Sequence, residues 1–117
     1  MGVIGPSQWE ADASFPAEIG PEAVWFVRNF RERFGRQPEY TAAGSFAVGL
    51  IFEECVGHAV SLQDSDLLAA AAELDCVTLY GRFRLDSAGG RQVGHRILLV
   101  QWDQNHRVLL PATEPGQ

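Results

Sequence analysis

Cysteine is almost missing from this chain. Its two copies in 117 residues, Cys55 and Cys76, cannot supply a disulfide framework or a metal cluster. A single Cys55–Cys76 pairing stays open for an oxidising compartment. Positive charge is short as well. Nine basic side chains against fifteen acidic ones leave a net charge of −6, which argues against nucleic acid and anionic membranes as partners. Catalytic signatures are lacking: there is no G-x-S-x-G, P-loop, H-E-x-x-H or C-x-x-C. His58, His95 and His106 lie far apart and without metal-ligand spacing. Neither a metal, nor another cofactor, nor an enzymatic activity is therefore expected. Internal repeats and low-complexity segments are absent too. Residues 1–6 carry no basic n-region and no long apolar h-region, so the chain is expected to be either cytoplasmic or part of a larger protein.

What is present is dominated by residues 40–59, YTAAGSFAVGLIFEECVGHA. The stretch is long enough for about five helical turns. Its apolar residues run nearly all the way round rather than in a stripe, which predicts burial on more than one side. Glu53 and Glu54 disfavour a membrane span, so a core helix of a soluble domain is the expectation. Ala42, Ser45 and Gly49 form a small-residue strip where another backbone could approach. His58 suits the negative end of the helix dipole.

Before this helix, residues 2–6 form a short apolar run stopped by Pro6, as at a strand end. Residues 7–20 form a long connection in which Trp9 and Phe15 are expected to anchor against the body, with pocket lining as the alternative. A helix is predicted from Pro21, with Gly20 as its cap. Ala23, Phe26, Val27, Phe30 and Phe34 make its apolar stripe, and Gly35 and Pro38 stop it. Val24 and Trp25 fall off that stripe and suggest a second contact surface. After the long helix, Asp64 is a good N-cap for a third, alanine-rich helix ending at Asp75.

The period then changes from helical to alternating. Residues 77–85 read as one strand, with Gly81 marking a bulge or close approach. Residues 86–90, DSAGG, read as a turn, and residues 93–102 as the returning strand. The centre of that strand, Ile97 to Val100, is apolar on both faces, as in a strand covered on both sides. Gln104 and Asn105 make another turn, residues 107–110 a last strand, and residues 112–117 a disordered tail. The fold class expected is α/β, with three helices followed by a β-meander.

The order FRERFGRQPEY, TAAGSFAVGLIFEECV, an alanine-rich helix, then TLYGRFRLDSAGGRQVGHRILLVQW and VLLP resembles the C-terminal part of type I periplasmic binding proteins. These are the branched-chain amino-acid and amide receptors of ABC importers. Phe30, Phe34, Gly35, Pro38, Tyr40, Ala42, Ala43, Gly81, Phe83, Leu85, Asp86, Gly89, Gln101 and Trp102 carry the likeness, which spans most of the chain. It implies a partial lobe of that fold, about the last third of a two-lobed receptor. Residues 2–7 would then match a strand leading through the hinge. The family's acidic ligand for the solute's amino group would fall upstream of Met1. Tyr40 lies near the family's aromatic contact to the solute, and Trp9 just after the inter-lobe strand; both become candidate ligand-binding residues, with Ser7 and Gln8 weaker ones.

What the resemblance implies for function is periplasmic solute binding in a full-length parent. Its ligand would be an amino acid or small amide, and its partner a membrane permease. The isolated chain would not be ligand-competent. A ligand-sensing regulator of the same fold is the first rival, and a ligand-free oligomeric interaction module the second. The two-sided apolar helix and strand also demand more cover than the chain supplies, so self-association is expected.

Overall fold

The computed structural model describes residues 2–13, 15–104 and 106–111, with only the backbone of His106. The expected disordered tail, residues 112–117, lies outside the described residues, as does Asn105. In chain order the elements are β1 (Ile4–Ser7), α1 (Ala23–Phe34), α2 (Tyr40–His58), α3 (Asp64–Glu73), β2 (Asp75–Thr78), β3 (Gly81–Arg84), β4 (Leu98–Asp103) and β5 (His106–Leu109). Among the described residues these make three helices and two antiparallel sheets, one ordered β1-β4-β5 and the other β2-β3.

The helices form where capping and periodicity place them, with small shifts. Gly35 ends α1 in the left-handed region at φ +70°, its N–H bonded to the Arg31 carbonyl at 2.8 Å. α1 starts at Ala23 rather than at Pro21, with Glu22 at the cap. The Glu22 carboxylate does not cap the helix; it accepts the N–H of Ala17 at 3.3 Å. Asp64 is not the cap of α3 but its first residue, with Gln63 at the cap position, and the helix ends at Glu73 rather than at Asp75, which opens β2. Ser61 ties the preceding loop to Asp66 at 2.5 Å.

Strand pairing departs further from expectation. Residues 77–85 are not one strand: the chain turns back at Leu79 and Tyr80, and β2 and β3 pair with each other, Thr78 opposite Gly81 and Asp75 opposite Arg84. Thr78 makes the turn tight by accepting the Tyr80 N–H at 3.0 Å. Gly81 sits at φ +119°, and a Cβ there would lie 3.3 Å from His95 Nδ1. The positive φ calls for glycine, and a Cβ would also press on the His95 ring. The expected turn at residues 86–90 is present, held by Asp86, whose carboxylate accepts the N–H groups of Gly89 and Arg91 at 2.7 and 3.2 Å.

The expected meander is split for a local reason. After that turn only Leu85 and Gln92 bridge. The Gln92 side-chain amide then takes the place of a strand, accepting from Arg84 N–H at 3.0 Å and donating to the Arg82 carbonyl at 3.1 Å. With the edge of β3 satisfied in this way, the backbone leaves it. β4 pairs instead with β1, Ser7 opposite Leu98, and with β5, Asp103 opposite His106. Pro6 lies inside β1 rather than ending it. β1 is an edge strand, where a residue without an N–H is tolerated.

The core gathers Trp9, Ala23, Phe26, Ala43 and Leu79, with Phe15, Phe30, Phe46, Leu50 and Tyr80 packed around it. The Trp9 indole N–H donates to the Leu79 carbonyl at 3.1 Å, and its ring meets Phe26 edge-on at 6.3 Å. Residues 18–19 run beside β2 and bond to the Val77 carbonyl. The expectation that α2 is buried on more than one side is not met within the chain. Ala43, Ala47 and Cys55 are buried, but Val48 and Phe52 are 66% and 59% exposed. Nor does the small-residue strip receive a backbone: a Cβ at Gly49 would meet nothing within 4 Å, and it is Gly44 that faces the Tyr80 ring. β4 is likewise covered on one face only, with Val100 buried and Leu99 half exposed.

The chain is therefore thin and open, 53 × 40 × 20 Å. Its radius of gyration is 16.1 Å, against about 13 Å for a compact chain of this length. Its accessible surface is 8310 Å², against about 6,300 Å² for a compact chain of this mass.

Leu79 is fully buried and Leu68 is 69% exposed. Urea denaturation is expected to show Leu79→Ala losing about 2–5 kcal/mol and Leu68→Ala changing stability by less than about 0.5 kcal/mol. The backbone N–H groups of Gly89 and Arg91 hold the Asp86 carboxyl below its usual range. A carboxyl lowered in the folded state contributes stability that is present above its unfolded pKa and is lost as pH falls through the folded one. Asp86→Asn should remove that contribution, so that acid titrations of stability are flatter in the variant than in the parent.

Candidate functional site

A cleft of about 370 Å³ opens where the end of β1, residues 9–12, the start of α2 and β5 converge. Its polar and aromatic walls are Ser7, Trp9, Glu10, Asp12, Tyr40 and Arg107. Tyr40 and Trp9, which the sequence singled out on resemblance, line this one cleft. Ser7 joins them, while Gln8 is not among the lining residues.

Each wall is set by a different element. Tyr40 is the first residue of α2 and is 49% exposed, free to meet a solute. Trp9 is 3% exposed, so most of its ring belongs to the core and only an edge borders the cleft. Its anchoring role is thus plain from its packing. Phe15, the other aromatic residue of the connection, is partly buried against the same core.

The charged centre is Glu10, nine-tenths buried. The Ser7 hydroxyl donates to its Oε2 at 2.5 Å, and Arg107 Nη1 donates to the same oxygen at 3.1 Å. The Arg107 guanidinium also lies over the Trp102 ring at 5.3 Å, which orients it. Burial of a carboxylate is tolerated only with such partners. With Asp12 and Glu39 also in the wall, the cleft carries three carboxylates and one guanidinium, an excess of negative charge at neutral pH. This arrangement can hold a small solute by hydrogen bonds and attract an ammonium group.

Glu10 and Arg107 were not anticipated from sequence. They are 97 residues apart, and neither sits in a pattern that distinguishes it from other surface charges. A pairing signal of that kind exists only once β5 has been placed beside β4 and β1. His95 is a second unanticipated contact, its Nε2 at 2.9 Å from the Gln8 carbonyl and its ring stacked on Tyr80 at 4.6 Å. The bond fixes the residue between β1 and Trp9 against the segment that leads into β4.

Other features carry less. A cleft of about 640 Å³ beside α1, lined by Val24, Val27, Arg28 and Arg31, contains none of the candidates. Cys55 and Cys76 are free and buried, and burial pushes both thiols up from their usual value. His58 ends α2 and faces Glu54 at 3.2 Å. Among the described residues no cluster of metal-ligating side chains occurs, and no helix is long and apolar enough to cross a membrane. No protein-family model, curated protein or solved structure matches the chain.

Removing Arg107 leaves the Glu10 carboxylate with Ser7 as its side-chain partner. Arg107→Ala is expected to cost about 1 kcal/mol of stability, and a Glu10→Gln, Arg107→Ala double variant should recover part of it, as read by a double-mutant cycle in urea. Both thiols should react with an aromatic disulfide reagent at the rate of unfolding, not at the rate of an exposed cysteine.

Proposed function

We propose that this chain is part of a solute-binding receptor of the type I periplasmic kind, and that its cleft contributes to holding a small amino acid or amide. The observation that carries the reading is the position of the cleft. It lies where the chain crosses between its helical body and the β1-β4-β5 ribbon. The two crossings run side by side, Ser7 opposite Leu98, and among the described residues the ladders of the ribbon join only its own strands. Adjacent antiparallel crossings between two separately packed parts are what a hinge requires, and closure of the parts around a solute follows from differential affinity for the closed form.

The residues of the cleft support the solute class. Tyr40 offers an exposed ring and hydroxyl, while Glu10, Asp12 and Glu39 outnumber Arg107. An amino acid with a free ammonium is favoured over its acylated form. The half-covered α2 and β4 support the reading that this lobe is incomplete by itself, so a permease partner and a periplasmic location belong to the full-length parent. A regulator of the same fold would use the same cleft with a different output.

The test is calorimetry on the chain joined to whatever its reading frame encodes upstream, against a panel of amino acids, their amides and their N-acetyl forms. Binding of a free amino acid, weakened at least about tenfold by Tyr40→Ala and by N-acetylation, is the expected result. Absence of heat from every member of the panel, with the protein folded, would overturn the proposal.

A further inference from the structure

The carboxylate at the centre of the cleft has one oxygen unused. Glu10 is 9% exposed and lines the cleft wall. Both of its side-chain partners, the Ser7 hydroxyl and Arg107 Nη1, donate to the same atom, Oε2. Oε1 accepts from no group among the described residues. A buried charged oxygen without a donor is costly, so Oε1 calls for a donor from outside the chain. A cationic N–H meets that demand more strongly than a neutral one.

A second open valence lies beside the first. Arg107 gives Nη1 to Oε2 at 3.1 Å, and the rest of its guanidinium donates to nothing among the described residues. The Trp102 ring beneath it, 5.3 Å away, holds the group in place. The Arg107 side chain is 48% exposed and that of Glu10 only 10%. The pair therefore offers an acceptor at its buried end and donors at its outer end, joined by one hydrogen bond. A ligand that meets both must carry an ammonium and an anionic group close together.

The other charged walls do not make that selection. Asp12 and Glu39 are exposed, so water and salt screen them. They draw a cation towards the cleft without fixing where it sits. Tyr40, half exposed on the same wall, is left for the remainder of the solute.

Given the cleft as a solute site, on which this step rests, we propose that the Glu10–Arg107 pair reads the head group of an α-amino acid. The ammonium sits on Glu10 Oε1 and the carboxylate on the remaining N–H groups of Arg107. Glu10 and Arg107 determine specificity, and Ser7 positions the Glu10 carboxylate. The solute class narrows from amino acids and amides to zwitterions whose two charged groups share one carbon.

The test is calorimetry on the chain joined to its upstream reading frame, with α-, β- and γ-aminobutyrate and with the amide of the α form. The isomers contain the same atoms and differ in the distance between ammonium and carboxylate. α-Aminobutyrate should bind at least about tenfold more tightly than γ-aminobutyrate, and at least about tenfold more tightly than its own amide. Glu10→Gln should weaken α-aminobutyrate at least about tenfold. Arg107→Lys keeps a positive charge for Glu10 but lacks the fork that serves two carboxylates. It should cut the preference for acid over amide to less than about threefold. A merely structural loss would weaken acid and amide alike and leave that ratio unchanged. Circular dichroism checks that both variants fold, and the isomer series on the parent needs no variant. Equal binding of the α and γ isomers, an acid-to-amide ratio untouched by Arg107→Lys, or silence from the aminobutyrates while other amino acids bind would each overturn this assignment alone. Silence from every amino acid would overturn the solute reading with it.

Discussion

The fold depends on one buried contact, the Trp9 indole set into the core with its N–H on the Leu79 carbonyl. It joins residues 70 apart: the long connection after β1 and the tight turn between β2 and β3. Through Trp9 the connection also meets Phe26 of α1, and Ala43 of α2 belongs to the same cluster. Remove it and the β2-β3 turn, α1 and α2 lose their common neighbour. The bond to the carbonyl matters because Leu79 lies in a turn, where its backbone has no ladder partner and would otherwise be buried unpaired.

Around that contact the chain builds only one compact region, and the rest radiates from it. The β1-β4-β5 ribbon is held by its own ladders and by a few polar bridges, chiefly Arg107 to Glu10 and His95 to the Gln8 carbonyl. Bridges of this kind orient two parts without cementing them, because their energies are small beside apolar burial. A cleft at such a junction changes shape when the parts move. The polar residues at this junction come from opposite ends of the chain, as Glu10 and Arg107 do.

Much of the helical part was legible in the sequence. The stop at Gly35, the extent of α2 and the start of α3 follow from local chemistry: a left-handed glycine, a proline that blocks resumption, an aspartate before an alanine run. The Asp86 turn was legible for the same reason. Trp9 and Tyr40 were picked out by resemblance, and the structure sets both at one cleft without deciding what it binds. The β-meander was misread because alternation in residues 77–85 is the same for one long strand as for two short ones folded at Leu79 and Tyr80. The substitution of the Gln92 side chain for a backbone partner leaves no periodic trace at all.

Sequence by itself determined which segments are helical, where they stop and how much apolar surface they carry, since these rest on contacts within a few residues. Only the tertiary structure decided which strands pair, that Glu10 meets Arg107, and which side of α2 goes bare. Those outcomes depend on contacts between residues far apart in the chain. Chain closure over such distances is governed by the whole packing arrangement, and no local pattern encodes it.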